Sequence, residues 1–199
     1  MSSYKIILEV SKLLRSTLWN GFAGDDALTQ HVPNAESIVL MNPADAARDN
    51  NRRISLWLYQ VQENEFVRNQ LPMRVAQQND VVRFPPVPLN LFYLLTPSTN
   101  SVEGDQMVLG RSIQIFYDNA TLLLESAEQP GTAEELRLSM CQRDLRELAE
   151  VWEALQQPYR LSVCYEIRLA RIDSERMERT GRVEERTARF EDNRPAVAA

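Results

Sequence analysis

Between Leu161 and Leu169, apolar side chains fall on every second position: Leu161, Val163, Tyr165, Ile167 and Leu169, with Ser162, Cys164, Glu166 and Arg168 between them. A β-strand turns successive side chains to opposite faces. This alternation therefore predicts a strand with one face on a core and the other toward a wetter surface. No other stretch constrains the fold as tightly. A stripe at helical spacing (Leu145, Leu148, Val151, Trp152 and Leu155) precedes it within 142–156, and Pro158 stops that helix. Beyond it the apolar parity slips between Leu169 and Ile172. One extra residue in a strand has that effect, so a bulge is expected there, where the strand leaves the domain and becomes an arm.

The rest of the chain supplies partners for this strand. An amphipathic helix is predicted over 3–19, capped by Ser2 or Ser3 and stopped at Asn20-Gly21, with Ile6, Ile7, Val10, Leu13, Leu14 and Leu18 on its apolar side. Residues 22–33 read as a polar connector and Ser37–Met41 as a short strand. Arg53–Val61 is a strand with large apolar groups on both faces, Ile54, Leu56 and Leu58 against Trp57, Tyr59 and Val61, as suits a strand covered on two sides. A polar passage over Glu63–Asp80 is long for a compact domain. After the extended Phe84–Pro88, Leu89–Leu95 is a third strand. A helix is predicted over 105–117, buried through Met107, Ile113, Phe116 and Tyr117, with Gly110 permitting close packing. Ala120–Glu125 and Glu135–Met140 complete the extended pieces. This order predicts an α+β fold: a small mixed β-sheet, about three packed helices, and a C-terminal extended arm or hairpin. The boundaries expected are one α+β domain over 1–173, a charged arm over 174–192 and a flexible tail over 193–199.

Composition excludes several function classes. A chain of 199 residues has room for one core. A net charge of -6 and a pI of about 5.0 give no electrostatic footprint for nucleic acid. No apolar run approaches the roughly 20 residues that span a bilayer, and no apolar leader begins the chain. The 2 cysteines, Cys141 and Cys164, are expected as reduced thiols in a protein made in the cytosol. They lie too far apart in sequence for a Cys-x-x-Cys element. The single histidine, His31, falls on a predicted loop and is expected at the surface, without the partners of a triad or metal site. With 6 glycines there is no phosphate-cradling loop. No catalytic, cofactor or metal-binding residue is singled out, and the chain is not expected to be an enzyme.

The segment after Arg171 is dense in charge and too poor in apolar residues to pack a core of its own. Glu175/Arg179, Glu178/Arg182 and Glu185/Arg189 stand at i,i+4 spacing, which supports a helix. Thr180-Gly181 supports a turn between two extended arms, and the hairpin is the preferred reading. Such an arm can add a strand to a neighbour's sheet. Arg176, Arg179, Arg182, Arg186 and Arg189 then pair with acidic groups on that neighbour. The alternative is a solvated charged tail.

Four elements in this order resemble a known family. Leu89-Asn-Leu-Phe-Tyr-Leu-Leu-Thr-Pro97 is similar to its strand ending in Tyr-x-x-Thr-Pro. The 105–117 segment with Leu109-Gly110 is similar to the helix that follows, and 144–155 with Trp152 resembles its Trp-x-x-Leu helix. Pro158 to Ile167 and Arg171-Ile-Asp-Ser174 are similar to its closing strand. The family is that of the tube or sheath caps of contractile injection systems, which are phage-tail-like particles. The resemblance implies a structural subunit. It would form a homo-oligomeric ring, expected to be a hexamer, that ends the inner tube and contacts the last sheath layer. Tube and sheath proteins are the implied partners, with no nucleic acid and no membrane span, and assembly would occur in the cytoplasm. Related readings are a phage tail completion or head–tail connector protein, and an assembly factor absent from the final particle.

Overall fold

Helix α1 (Ile6–Phe22) buries Ile6, Val10, Leu14 and Leu18 along one stripe, as its periodicity requires. It does not stop at Asn20-Gly21. The helix runs through both residues to Phe22, and Gly21 is a close-approach position inside it. Lys5 is the N-cap, with no side-chain cap bond, and Ser2 and Ser3 lie outside the described residues. The computed structural model describes residues 4–67, 69–75, 78–125 and 133–179. Two compact units divide the chain: Met1–Gln70 with Pro86–Asp173, and Leu71–Pro85 with Ser174–Ala199.

The first unit continues with the one-turn helix α2 (Asp26–Thr29), capped by Asp25, and a 3-10 turn at Ala35–Ser37. Strand β1 (Ile38–Val39), the one-turn helix α3 (Pro43–Ala46) capped by Asn42, and strand β2 (Ile54–Glu63) follow. After β5 (Val87–Pro97) come α4 (Val102–Asp118), β6 (Thr121–Glu125), β7 (Ala133–Met140), α5 (Leu145–Ala154) and β8 (Val163–Ile172). Its six strands form one sheet in the order β1-β2-β5-β8-β7-β6. Only β1–β2 is parallel and every other pair is antiparallel. The fold is α+β with a mixed sheet.

Alternation along each strand decides which side faces which helix. Ile54 and Leu56 of β2, Leu91, Tyr93 and Leu95 of β5, and Tyr165 and Ile167 of β8 join one core with α1 and α4. The Tyr93 hydroxyl lies 2.8 Å from Ser11 Oγ on α1, and Phe116 of α4 meets the edge of Tyr165 at 4.8 Å. The opposite face was expected to be wetter. Here it is largely buried: Phe92, Leu94, Cys164 and Glu166 are all 8% exposed or less. α5 lies on this side, with Arg143 just ahead of it over the Phe92 ring and Trp152 bonded to Ser162.

The bulge in β8 falls earlier than expected. The register steps from Leu91↔Ile167 to Leu89↔Ala170, so the extra residue sits at Arg168–Leu169, and Ala170 takes the core position. The strand then continues to Ile172, paired with Val87. Two helix stripes also differ from expectation. α4 starts at a Ser101 cap and buries Val108, Leu109, Ser112, Ile115 and Phe116, while Met107 and Tyr117 are exposed and Ile113 is half-buried. A Cβ at Gly110 would meet nothing within 4 Å, so that glycine serves no close packing. α5 buries only Trp152, and Leu145 is 66% exposed.

The second unit is a three-stranded antiparallel sheet in the order β3-β4-β9, made of β3 (Met73–Val75), β4 (Gln78–Arg83) and β9 (Met177–Arg179). Its register aligns Met73, Arg83 and Met177 in one row. Val81, Val82 and Arg83, which follow the polar passage, therefore pair with the start of the charged C-terminal segment. The turn expected at Thr180-Gly181 and the helical alternative to it lie outside the described residues.

Candidate functional site

The charged residues singled out in the sequence separate in the structure. Arg176 has partners within its own unit. Its guanidinium lies 4.2 Å from the Phe84 ring, its Nε donates to Glu178 at 3.1 Å, and its carbonyl accepts from Phe84 N–H at 3.3 Å. Arg179 is exposed on β9, opposite Val81. Arg182, Arg186 and Arg189 lie outside the described residues. The same unit exposes Leu71, Met73 and Met177. Exposed apolar groups on one face of a unit are what a protein–protein contact covers.

The first unit holds a cluster that sequence reading missed. Cys141 follows the last residue of β7, and Met140 is opposite Tyr165, so Cys141 falls opposite Cys164. Cys141 N–H donates to the Cys164 carbonyl at 2.8 Å. Both are free thiols, Cys164 buried and Cys141 half-buried. On β2 the register steps from Leu58↔Tyr93 to Gln60↔Phe92, leaving Tyr59 as an extra residue. A bulge re-aims a side chain. The Tyr59 hydroxyl lies 3.0 Å from Cys164 Sγ. Arg143 completes the cluster. It donates to Glu147 at 2.7 Å, and its guanidinium is 5.5 Å from the Phe92 ring.

These neighbours polarise the thiols. The hydrogen bond from Cys141, then that from Tyr59 and the Arg143 charge, bring Cys164 down to about 7 despite its burial. That same bond to Cys164, with burial and the Glu166 charge, pushes Cys141 up. Burial pushes Tyr59 up as well, so it stays a neutral donor. Glu147 is held low, first by its bond from Arg143. Two clefts meet at Arg143. One, of about 460 Å³, lies between β2 and α5 and is lined by Tyr59, Gln62, Glu147 and Val151. The other, of about 560 Å³, is lined by Cys141, Phe92, Glu166 and Arg168. The signal for this cluster lies in two alternating strands, one followed by a cysteine and one containing a cysteine, whose pairing no local pattern records.

His31 is half-buried. A Cβ on Gly104 would stand 2.8 Å from its ring, so it packs against the first turn of α4. Among the described residues, no group of three or more His, Cys, Asp or Glu could hold a metal ion. Nor is any described helix long and apolar enough to cross a membrane.

Two solved structures share this fold. One is the sheath/tube terminator, in the extended state, of the extracellular contractile injection system PVC. Its TM-score is 0.59 at 16% identity, over 100% of this chain and 67% of that one. The other is the anti-feeding prophage cap, the AFP tube-terminating cap. Its TM-score is 0.51 at 19% identity, over 86% of this chain and 60% of that one. No curated protein matches the sequence. Residues 9–185 match the Pvc16 N-terminal domain, and the chain belongs to that family.

Proposed function

We propose that the chain is a structural terminator subunit of a phage-tail-like contractile injection particle. In this reading it joins copies of itself in a ring, ends the inner tube and contacts the last sheath layer. The observation that carries the proposal is the family match over residues 9–185. Fold likeness to a sheath/tube terminator and to a tube-terminating cap supports it. A ring needs a head-to-tail interface that closes on itself. The exposed Arg179, with Leu71, Met73 and Met177, is one candidate surface for it, and Arg182, Arg186 and Arg189 extend the same charged segment. Arg176 is a weaker candidate, since Phe84 and Glu178 already occupy it. Catalysis has no part in this role.

The test is to delete the gene in a particle-producing strain, image the particles, and complement with the full chain or with a chain ending at Arg179. Loss of the chain should give tubes of uneven length with poorly retained sheath. The chain should also be found in purified particles. Normal tubes in the deletion strain would overturn the proposal. Co-purification with capsid proteins would move the assignment to a head–tail connector, and absence from mature particles to an assembly factor. Stopping at Arg179 keeps β9, so a defect in that variant reports on the residues beyond it.

A further inference from the structure

We propose that Cys141 and Cys164 form a disulfide site within one chain. Cys141 exchanges with a low-molecular-weight disulfide, and Cys164 resolves the mixed disulfide. Three observations carry this. First, the two residues are directly opposed on antiparallel strands, and Cys141 N–H donates to the Cys164 carbonyl at 2.8 Å. Opposed residues that share such a bond have Cα atoms about 5.5 Å apart, inside the Cα range that disulfides span. Second, the sulfurs differ in access. Cys141 is half-buried and lines a cleft of about 560 Å³, whereas Cys164 is 2% exposed behind it. Third, the surroundings favour a thiolate. Tyr59 Oη stands 3.0 Å from Cys164 Sγ, and Arg143 adds a positive charge that stabilises an anion and opposes a bound cation.

The chemistry balances as two exchanges. Cys164, the sulfur its neighbours favour as an anion, first gives its proton to solvent; its thiolate then takes the proton of the Cys141 thiol, which leaves the thiolate on the accessible sulfur. That thiolate attacks one sulfur of the small disulfide. A Cys141–S–S–R bond forms, and the first R–S⁻ leaves and takes a proton. Cys164 then loses its proton and attacks the Cys141 sulfur. The Cys141–Cys164 bond forms, and the second R–S⁻ leaves and takes up the proton that Cys164 released. Two protein thiols lose two electrons in all, and the small disulfide is reduced to two small thiols. The new bond closes a loop that contains α5, whose one buried residue is Trp152. Closing a loop of that size should raise the melting temperature by about 5–10 °C. The site stands on the geometry of one chain and does not depend on the terminator role.

The test incubates the purified, reduced full chain with oxidised glutathione near neutral pH. Intact mass, thiol titration and peptide mapping under non-reducing conditions are then read. The expected product has lost two hydrogens and both thiols, joins the Cys141 and Cys164 peptides, and melts higher. Cys164→Ser should accumulate a lasting glutathione adduct on Cys141. Cys141→Ser should leave Cys164 unmodified over the same period. The proposal is overturned if wild type keeps both thiols, holds a stable adduct on Cys141, or forms disulfide-linked dimers. The wild-type result decides even where a variant folds poorly.

Discussion

A Cβ on Gly21 would stand 2.4 Å from Cγ1 of Ile115, so α1 and α4 reach their packing distance because residue 21 has no side chain. Arg111 Nη2 donates to the Gly21 carbonyl across the same contact at 2.9 Å, tying α4 to the last turn of α1. Gly21→Ala gains up to about 1 kcal/mol of helix propensity. It also forces Ile115 off its position in a dense core, at about 1–3 kcal/mol. Because Ile115 clashes through three carbons rather than one flexible tip, the second effect should win. A net loss of about 1 kcal/mol is expected in urea unfolding, partly recovered by adding Ile115→Val. Gly110→Ala meets nothing within 4 Å and should stabilise by up to about 1 kcal/mol.

Two buried tyrosines on adjacent strands should respond oppositely to loss of their hydroxyls. Ser11 donates to the Ile7 carbonyl, leaving its lone pairs for the Tyr93 proton 2.8 Å away. Tyr93→Phe should therefore cost about 1 kcal/mol. Tyr165, opposite Tyr93 in the register, has a buried hydroxyl with no partner among the described residues. Tyr165→Phe removes an unsatisfied polar group and should be neutral or slightly stabilising. A loss in Tyr165→Phe equal to that in Tyr93→Phe would show that the two hydroxyls are equivalent.

Base should unfold the chain through the same pair. Burial pushes both Tyr93 and Tyr165 up to about 12, against about 10 in the unfolded chain. Their folded pKa values are raised, so the stability they contribute is complete below pH of about 10 and is lost as pH rises toward about 12. Tyrosinate absorbance and circular dichroism should change together in that window. In the Tyr93→Phe, Tyr165→Phe double variant the stability should fall less steeply with pH there.

Arg176 stands just before β9 and Arg179, three residues on, at its end, yet they should behave differently. Arg176→Ala removes the stack on Phe84 and an exposed ion pair, together about 1 kcal/mol at most. Hydrogen exchange at the Phe84 amide, which donates to Arg176, should speed up. Arg179 has no side-chain partner among the described residues, and Arg179→Ala should leave stability within about 0.5 kcal/mol. A defect of Arg179→Ala in ring formation, with unchanged melting, would assign that residue to an interface.

Periodicity made the architecture legible and failed where tertiary cover overrode it. Alternation in β8 placed Tyr165 and Ile167 in the core, and the parity slip pointed to a real bulge. The opposite parity, Cys164 and Glu166, carries polar groups and so read as wet. Only the placement of α5 shows that it is covered. In α4, Tyr117 and Met107 look like core by residue type but fall off the stripe set by Val108, Ser112 and Ile115. The thiol cluster was illegible for a different reason. It joins residues of β2, β8 and the segment between β7 and α5, and no local pattern records which strands become neighbours.

Trp152 should be the single anchor of α5. The helix has a complete capping box between Asp144 and Glu147, with bonds of 2.8 and 3.0 Å. Ten residues are too few to hold a helix in water without packing. Its packing rests on Trp152, which is 2% exposed, donates to Ser162 Oγ at 3.2 Å and meets the edge of Tyr159 at 6.3 Å. Leu145, on the stripe by sequence, is 66% exposed. Trp152→Ala should cost about 3–5 kcal/mol of local stability, whereas Leu145→Asp should change stability by about 0.5 kcal/mol at most. Hydrogen exchange locates the loss. Amides of α5 should lose protection in Trp152→Ala while those of β5 and α1 keep theirs, because Trp152 lies outside the core that α1 shares with the sheet. Equal loss of protection in α1 and α5 would mean that the two faces of the sheet unfold as one unit.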